Sequence, residues 1–167
     1  MVPFEERPWM KAAEITDRIV EAIEKGEFKF IRLNFANGDM VGHTGVTAAV
    51  EIAVETVDLC MARLVRAIKK AKGILIVTSD HGNSDDMFEC NRDTGEIIRD
   101  EATGNPKPRT AHSLNPVFAY IYEPTGSLPV RLSKETDLGI SSLAATCLKL
   151  LGFEPPEDYT PSIVDVG

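Results

Sequence analysis

The chain has 167 residues, 43% of them hydrophobic and 26% charged, which is the composition of one ordinary globular domain with a hydrophobic core. Asp and Glu number 26 against 18 Lys and Arg, so the formal net charge of -8 argues against nucleic acid or an anionic membrane surface as a partner. Three widely spaced cysteines without a CxxC pair, and no apolar run approaching the ~20 residues of a membrane span, predict a protein of the reducing cytoplasm.

The first half of the sequence alternates between helical and strand patterns. Apolar residues recur every four positions over residues 10–25, which predicts an amphipathic helix that Gly26 ends. The aromatic and β-branched run FKFIRLNFAN, residues 28–37, predicts a strand that leads into a loop. Helical spacing returns over residues 46–72, and the continuous apolar run within residues 73–80 predicts a strand buried on both faces.

The second half begins with a long polar segment. Residues 84–111 show no hydrophobic period and contain a hairpin-like RDTGE, and a loop of this length in a compact domain is usually functional or mobile. Residues 117–122 predict another buried strand, and residues 140–151 predict a helix capped by Asp137 and closed by Gly152. Strands that alternate with helices predict an α/β fold with a mainly parallel sheet.

Aspartates and histidines stand beside the predicted strands. Asp39 and His43, four residues apart, follow the first strand, so they share one side if the loop has begun to wind into a helix. Asp80 and His81 end the second strand, and His112 precedes the third. Ligands bind at the carboxyl ends of parallel strands, and a set of carboxylates and imidazoles suits Mn²⁺ or Zn²⁺ better than Ca²⁺. The joint pattern therefore predicts a metal site.

Two of these residues also have a plainer interpretation when taken singly. Asp39 alone would serve in a turn, and His112 alone could be a loop residue bonded to backbone. The neighbouring loop residues are interpreted as ordinary hydroxyls and as a solvated acidic segment: Ser79, Ser84, Ser113, Asp85, Asp86 and Glu89. Five metal ligands are also one short of the six that two three-ligand sites require.

Four motifs carry a family resemblance over nearly the whole chain. MKAAEITDRIVEAI, NFANGDMVGHTG, TSDHGN and TAHSLNP, in this order and spacing, resemble the 2,3-bisphosphoglycerate-independent phosphoglycerate mutases, which belong to the alkaline phosphatase superfamily. The resemblance implies a three-layer α/β sandwich of the alkaline phosphatase type, present here only in part. It also implies that Asp39, His43 and His112 bind one Mn²⁺ and that Asp80 and His81 contribute to a second site, with Zn²⁺, Co²⁺ or Mg²⁺ as alternatives.

The implied reaction interconverts 3-phosphoglycerate and 2-phosphoglycerate, in glycolysis and gluconeogenesis, through a phosphoserine. Family members are about three times this length, and the nucleophilic serine and an inserted transferase domain lie in parts without a counterpart here. The resemblance thus predicts the C-terminal portion, residues 1–167, of a phosphatase-type domain that needs the N-terminal half of that domain as its partner and is inactive alone. Another hydrolase of the superfamily and a metal-binding module without catalysis remain as alternatives.

Overall fold

The computed structural model describes residues 2–166, and the chain divides into two compact units, the first ending at Tyr122 and the second beginning at Glu123. The first unit contains a 3-10 helix at Phe4–Glu6, followed by Ala12–Lys25 (α1), Asn37–Gly42 (α2), Thr47–Ala71 (α3), Leu75–Thr78 (β1) and Ala119–Tyr122 (β2). The second unit contains Val130–Leu132 (β3), Ser142–Leu150 (α4) and Val164–Val166 (β4). That all 167 residues form part of one domain stays a prediction.

The two long helices lie close to their predicted bounds. α1 ends at Gly26, whose φ of 66° allows its N–H to bond the carbonyls of Ala22 and Ile23. α3 also ends at a residue in the left-handed backbone conformation. This residue is Lys72, with a φ of 55°, rather than Gly73, so the helix ends one residue earlier than predicted. The helices pack against each other. Within residues 2–166, no helix has the length and apolar character needed to cross a bilayer.

The hydrophobic core of the first unit lies where α2 meets the beginning of α3. Its buried members are small or β-branched, so the two helices approach closely. Two methionines, which adapt to irregular gaps, pack against its edge. The buried members are Val41, Ala49, Val50 and Ala53, and the methionines are Met10 and Met87.

The strand predicted over residues 28–37 is not formed. The segment makes no backbone ladder with any other described residue, and the side chains of Phe28 and Phe30 are 61% and 56% exposed. A strand needs a neighbour to pair its N–H and C=O groups, so a strand-like composition without a partner leaves the segment irregular.

β1 and β2 pair antiparallel, with Leu75 opposite Tyr122 and Thr78 opposite Ala119. The described strands thus form two two-stranded antiparallel sheets, β1–β2 and β3–β4, where a mainly parallel sheet was expected. A parallel pair requires a crossover, usually through a helix, and no helix occurs between β1 and β2. With one partner strand, β1 is only partly covered: Leu75 to Val77 are half-buried and Thr78 is exposed, which corrects the prediction of burial on both faces.

Residues 87–109, here named the arm, fold back on themselves between β1 and β2. The N–H of Glu89 donates to the carbonyl of Lys107 (2.9 Å), that of Ile98 to Glu89 (2.8 Å), and that of Lys107 to Ile98 (2.9 Å). These three hydrogen bonds close a ring between segments spaced nine residues apart. An ion pair of 2.8 Å between Lys107 Nζ and Glu89 Oε2 adds a side-chain link across it.

Two similar turns connect the segments of the ring. In the first, Asn91 Oδ1 accepts from the N–H groups of the second and third residues after it, and Gly95 adopts a φ of 73°. In the second, Asp100 Oδ1 makes the same two bonds, and Gly104 has a φ of 70°. The first turn corresponds to the predicted RDTGE hairpin, and the second was not predicted.

In the second unit, α4 begins at Ser142, five residues after Asp137, which was the predicted cap. Asp137 instead has a positive φ of 61°, and the N–H of Gly139 donates to Ser142 Oγ (3.2 Å). Thr146 is fully buried on α4 and links the helix to the segment before β4. Its hydroxyl donates to the carbonyl of Ser142 (2.7 Å) and accepts from the N–H of Ile163 (3.0 Å).

We expect Thr146→Val to lower the free energy of unfolding by about 1–2 kcal/mol, because the N–H of Ile163 loses its acceptor while the side-chain volume is kept. Urea denaturation followed by circular dichroism measures the change. Thr56→Val is the matched control, since within residues 2–166 the Thr56 hydroxyl bonds only back to the carbonyl of Ile52 in its own helix (2.7 Å). Equal effects of the two substitutions would contradict a role for Thr146 in joining the elements.

Candidate metal centre

α2 carries the first two predicted ligands. The N–H of His43, the residue directly after this helix, bonds the carbonyl of Asp39 (3.1 Å), so the two residues lie one helical turn apart. Their side chains project to the same side, and His43 Nε2 lies 3.2 Å from Asp39 Oδ1. Asp39 and His43 were expected to share one side if the loop had begun to wind into a helix, and α2 provides this helical turn.

The segment before β2 brings His112 to the same carboxylate oxygen. His112 Nε2 is 3.3 Å from Asp39 Oδ1, and the rings of His43 and His112 have centroids 5.3 Å apart. One ligand atom from each of the three residues lies within 4.8 Å of the other two. The structure thus brings together three side chains from positions up to 73 residues apart in sequence.

The second predicted pair lies beside this cluster. The ring of His81 stacks on that of His112 with centroids 3.6 Å apart and an interplanar angle of 7°. His81 Nδ1 is buried and makes no hydrogen bond within residues 2–166. The Asp80 side chain is 76% exposed, with Oδ1 3.7 Å from His81 Nε2, so it stays outside the three-residue cluster.

The cluster has the chemistry of a metal site. Bonds of ~2.1 Å at a tetrahedral ion place neighbouring ligand atoms ~3.4 Å apart, and the two Nε2 atoms stand 3.2 and 3.3 Å from Asp39 Oδ1. Neutral imidazole nitrogens and a carboxylate are ligands of Zn²⁺, Mn²⁺ and related ions. Asp39 and His43 are about one-third exposed and His112 is 45% exposed, which leaves the cluster open to solvent and to a further ligand.

Three side chains of the neighbouring loop contact this cluster or the segments that carry it. Asn83 Nδ2 donates to Asp39 Oδ1 (2.7 Å), and Ser84 Oγ donates to the carbonyl of Gly38. Asp85 Oδ2 accepts from Asn115 Nδ2 (2.6 Å) and Ser113 Oγ (2.9 Å). The sequence interpretation as loop hydroxyls and a solvated acidic segment missed these contacts. The one sequence feature that could have indicated these contacts is that the loop directly follows Asp80 and His81.

The electrostatics of Asp85 follow from these bonds. The amide of Asn115 and then the hydroxyl of Ser113 donate to its ionised form and lower the pKa of this carboxyl. The hydrogen bond from Ser113 Oγ to Asp85 Oδ2 therefore fixes the orientation of this hydroxyl. Ser79 and Ser84 donate to the backbone carbonyls of His81 and Gly38.

Two glycines permit the close approach of these segments. A Cβ on Gly42 would lie 2.3 Å from Asn83 Oδ1, and a Cβ on Gly82 would lie 2.2 Å from Ser113 Oγ. The N–H of Ser113 bonds the carbonyl of Gly82 (2.9 Å), which ties the loop after β1 to the segment before β2. Glycine therefore occupies the two positions where α2 meets the loop after β1 and where this loop meets the segment before β2.

The chain is similar to curated proteins over almost its whole length. The 2,3-bisphosphoglycerate-independent phosphoglycerate mutase of Trypanosoma brucei brucei is 44% identical over 169 aligned positions, which cover 99% of this chain. The probable mutase of the same type from Leptospira interrogans is 42% identical over 98% of the chain. The chain spans 30% and 29% of the length of these curated relatives. The predicted resemblance to these mutases is confirmed.

The fold is similar to that of a solved structure. Leishmania mexicana phosphoglycerate mutase, crystallised at low cobalt concentration, matches 99% of this chain and 30% of its own with a TM-score of 0.90 and 43% identity. This confirms the predicted α/β class, although the strand pairs described here are antiparallel. A family model, the metalloenzyme superfamily, matches residues 1–155. Because this match covers most of the sequence, the chain belongs to the metalloenzyme superfamily.

Proposed function

We propose that this chain is the metal-binding part of a phosphoglycerate mutase that interconverts 3-phosphoglycerate and 2-phosphoglycerate through a phosphoserine, a step of glycolysis and gluconeogenesis. The observation that carries the proposal is the convergence of Asp39, His43 and His112 in a chain 42–44% identical to proteins named as such mutases. Because the chain spans about 30% of those relatives, the reaction is assigned to a longer enzyme or an assembly that contains it.

Asp39, His43 and His112 are proposed to hold one Mn²⁺, and Asp80 and His81 to contribute to a second site, with Zn²⁺, Co²⁺ or Mg²⁺ as alternatives. When bound, a divalent ion supplies positive charge that stabilises the oxygens of a phosphoryl group. The Asp39 carboxylate and the two imidazoles orient the ligand atoms of the first site. The buried Nδ1 of His81, which lacks a hydrogen bond within residues 2–166, supports a role for this ring beyond packing.

The nucleophilic serine and the remaining ligands of the second site are proposed to come from the N-terminal half of the phosphatase-type domain, and further contacts to the substrate from a transferase domain. The serines near the centre support this, since Ser79, Ser84 and Ser113 each donate to a carbonyl or carboxylate. We place the enzyme in the cytoplasm, and the free thiols of Cys60, Cys90 and Cys147 suit such a reducing setting.

A coupled enzymatic assay of 2-phosphoglycerate formation tests the proposal. We expect the 167-residue chain with Mn²⁺ to show no turnover of 3-phosphoglycerate, and the longer protein that contains it to be active and to lose activity with a chelator. Robust turnover by the chain alone would contradict the assignment of the nucleophile to another segment. Hydrolysis of an aryl phosphate by the longer protein, without mutase activity, would identify another hydrolase of the superfamily.

A further inference from the structure

The loop after His81 holds the metal centre in place, and we propose that Asn83 is its principal positioning residue. Asn83 fixes the Asp39 carboxylate, and Asp85, two residues on, fixes the segment that carries His112. This inference rests on the proposed function only in assuming that the centre binds a metal ion.

Asn83 contacts the atom on which the centre converges. Its Nδ2 lies 2.7 Å from Asp39 Oδ1, the oxygen that is also 3.2 and 3.3 Å from the two Nε2 atoms of His43 and His112. Since an ionised carboxylate only accepts hydrogen bonds, the amide must present its nitrogen here. A neutral donor at this oxygen restrains rotation of the carboxylate without adding charge to the cluster.

The position of Asn83 is itself determined by packing. The side chain is 7% exposed, and its Oδ1 lies against the backbone of Gly42, where a Cβ would stand only 2.3 Å away. The backbone carbonyl of Asn83 accepts from the N–H of Asp86 (3.0 Å), which fixes the turn. Because the amide oxygen faces Gly42 and the nitrogen faces Asp39, Asn83 orients a ligand and does not present an oxygen to the cluster.

Asp85 performs the corresponding task for His112. Its Oδ2 binds the side chains of Ser113 and Asn115, the residues one and three positions after His112. Ser113 is 7% exposed, and its N–H bonds the carbonyl of Gly82. The segment before β2 is thus bonded at two points to the loop that contains Asn83. One loop therefore sets the distance between the carboxylate on α2 and the imidazole before β2.

Asn83→Leu and Asn83→Asp test the proposal. Leucine keeps the approximate volume and removes the donor, whereas aspartate keeps the shape and places a second carboxylate beside Asp39. Competition with a chromophoric chelator measures the affinity for Mn²⁺ and for Co²⁺. We expect both variants to bind roughly 10–100-fold more weakly, which is the usual effect of removing a group that orients a metal ligand.

The visible absorption spectrum of the Co²⁺-loaded protein provides a readout that a purely structural role would not change. We expect altered band positions and intensities in the Asn83 variants, because the Asp39 oxygen is free to rotate relative to the ion. Asp85→Ala is expected to give a smaller loss of affinity together with a changed spectrum. Asn105→Leu and Asn105→Asp, the same changes at an exposed site on the arm, should bind within about twofold of the unsubstituted protein.

Thermal unfolding of the metal-free proteins separates positioning from folding. Equal stability of the metal-free Asn83→Asp variant with weakened binding supports the proposal. It is overturned if both Asn83 variants bind within twofold of the unsubstituted protein with an unchanged Co²⁺ spectrum, or if affinity is lost only in proportion to lost structure. A protein that binds no metal would overturn the inference and the proposed metal site together. Metal binding sensitive to Asn83, without mutase activity in the longer protein, would overturn the function alone.

Discussion

Replacing Asp39 with alanine is expected to lower the affinity of the protein for Mn²⁺ or Co²⁺ roughly 100–1000-fold. Complete structural metal sites contribute on the order of 10–16 kcal/mol through four ligands, so the loss of one ligand costs about 3–4 kcal/mol. The effect of Asp39 is large because its Oδ1 is the atom near both His43 Nε2 and His112 Nε2. Isothermal titration of the metal-free protein, or competition with a chelator, measures the change.

His112→Ala should give a comparable loss, since it removes one of the three converging ligand atoms. The matched control for the carboxylate is Asp58→Ala, an exposed aspartate on α3, which should leave metal affinity unchanged. A stoichiometric ion that remains bound with unchanged affinity after both Asp39→Ala and His112→Ala would rule out this cluster as the metal site.

Gly42→Ala is expected to destabilise the protein by about 3 kcal/mol, in the upper part of the range for overpacked sites. The new Cβ would stand 2.3 Å from Asn83 Oδ1 and 3.0 Å from its Cγ. Alanine is favoured over glycine in a helix interior by about 1 kcal/mol, but Gly42 is the last residue of α2, so this gain is only partly realised. Displacement of Asn83 should also reduce metal affinity roughly tenfold.

Gly139→Ala is the matched control for this substitution, because no atom lies within 4 Å of its added Cβ and its φ is not in the left-handed region. Chemical denaturation gives the stability of each variant, and chelator competition gives its metal affinity. If Gly42→Ala were as stable as Gly139→Ala and bound metal normally, the close contact between α2 and the loop of Asn83 would not exist in solution.

The parts of the fold that follow from local pattern were predictable. The apolar spacing of α1 and α3 lies within each helix, so their bounds could be placed within a few residues of those observed. Asp39 and His43 are also a local pair, one turn apart. Strand pairing depends on distant partners, which explains why residues 28–37 appear as a strand in the sequence alone and why the antiparallel register of β1 and β2 was not anticipated.

The contacts around the metal centre were also not predictable, because they too join residues that are distant in sequence. Asn83 and Asp85 are polar residues of a polar loop, and their partners lie 44 and at least 28 residues away in sequence. Hydrophobic periodicity carries no information on such contacts, and the glycines that permit them resemble ordinary turn glycines. The candidate ligands could be named because their side-chain chemistry is distinctive, whereas amides and hydroxyls near them are common in any loop.

The ring of hydrogen bonds in the arm gives that segment a cooperative character. Each of Glu89, Ile98 and Lys107 donates once and accepts once, so the loss of any one of the three segments would leave one open donor and one open acceptor in the other two. We therefore expect the arm to form or melt as a unit. We expect changes in length to be tolerated at its two exposed turns, around Gly95 and Gly104, where a Cβ would meet nothing within 4 Å, and not within the ring.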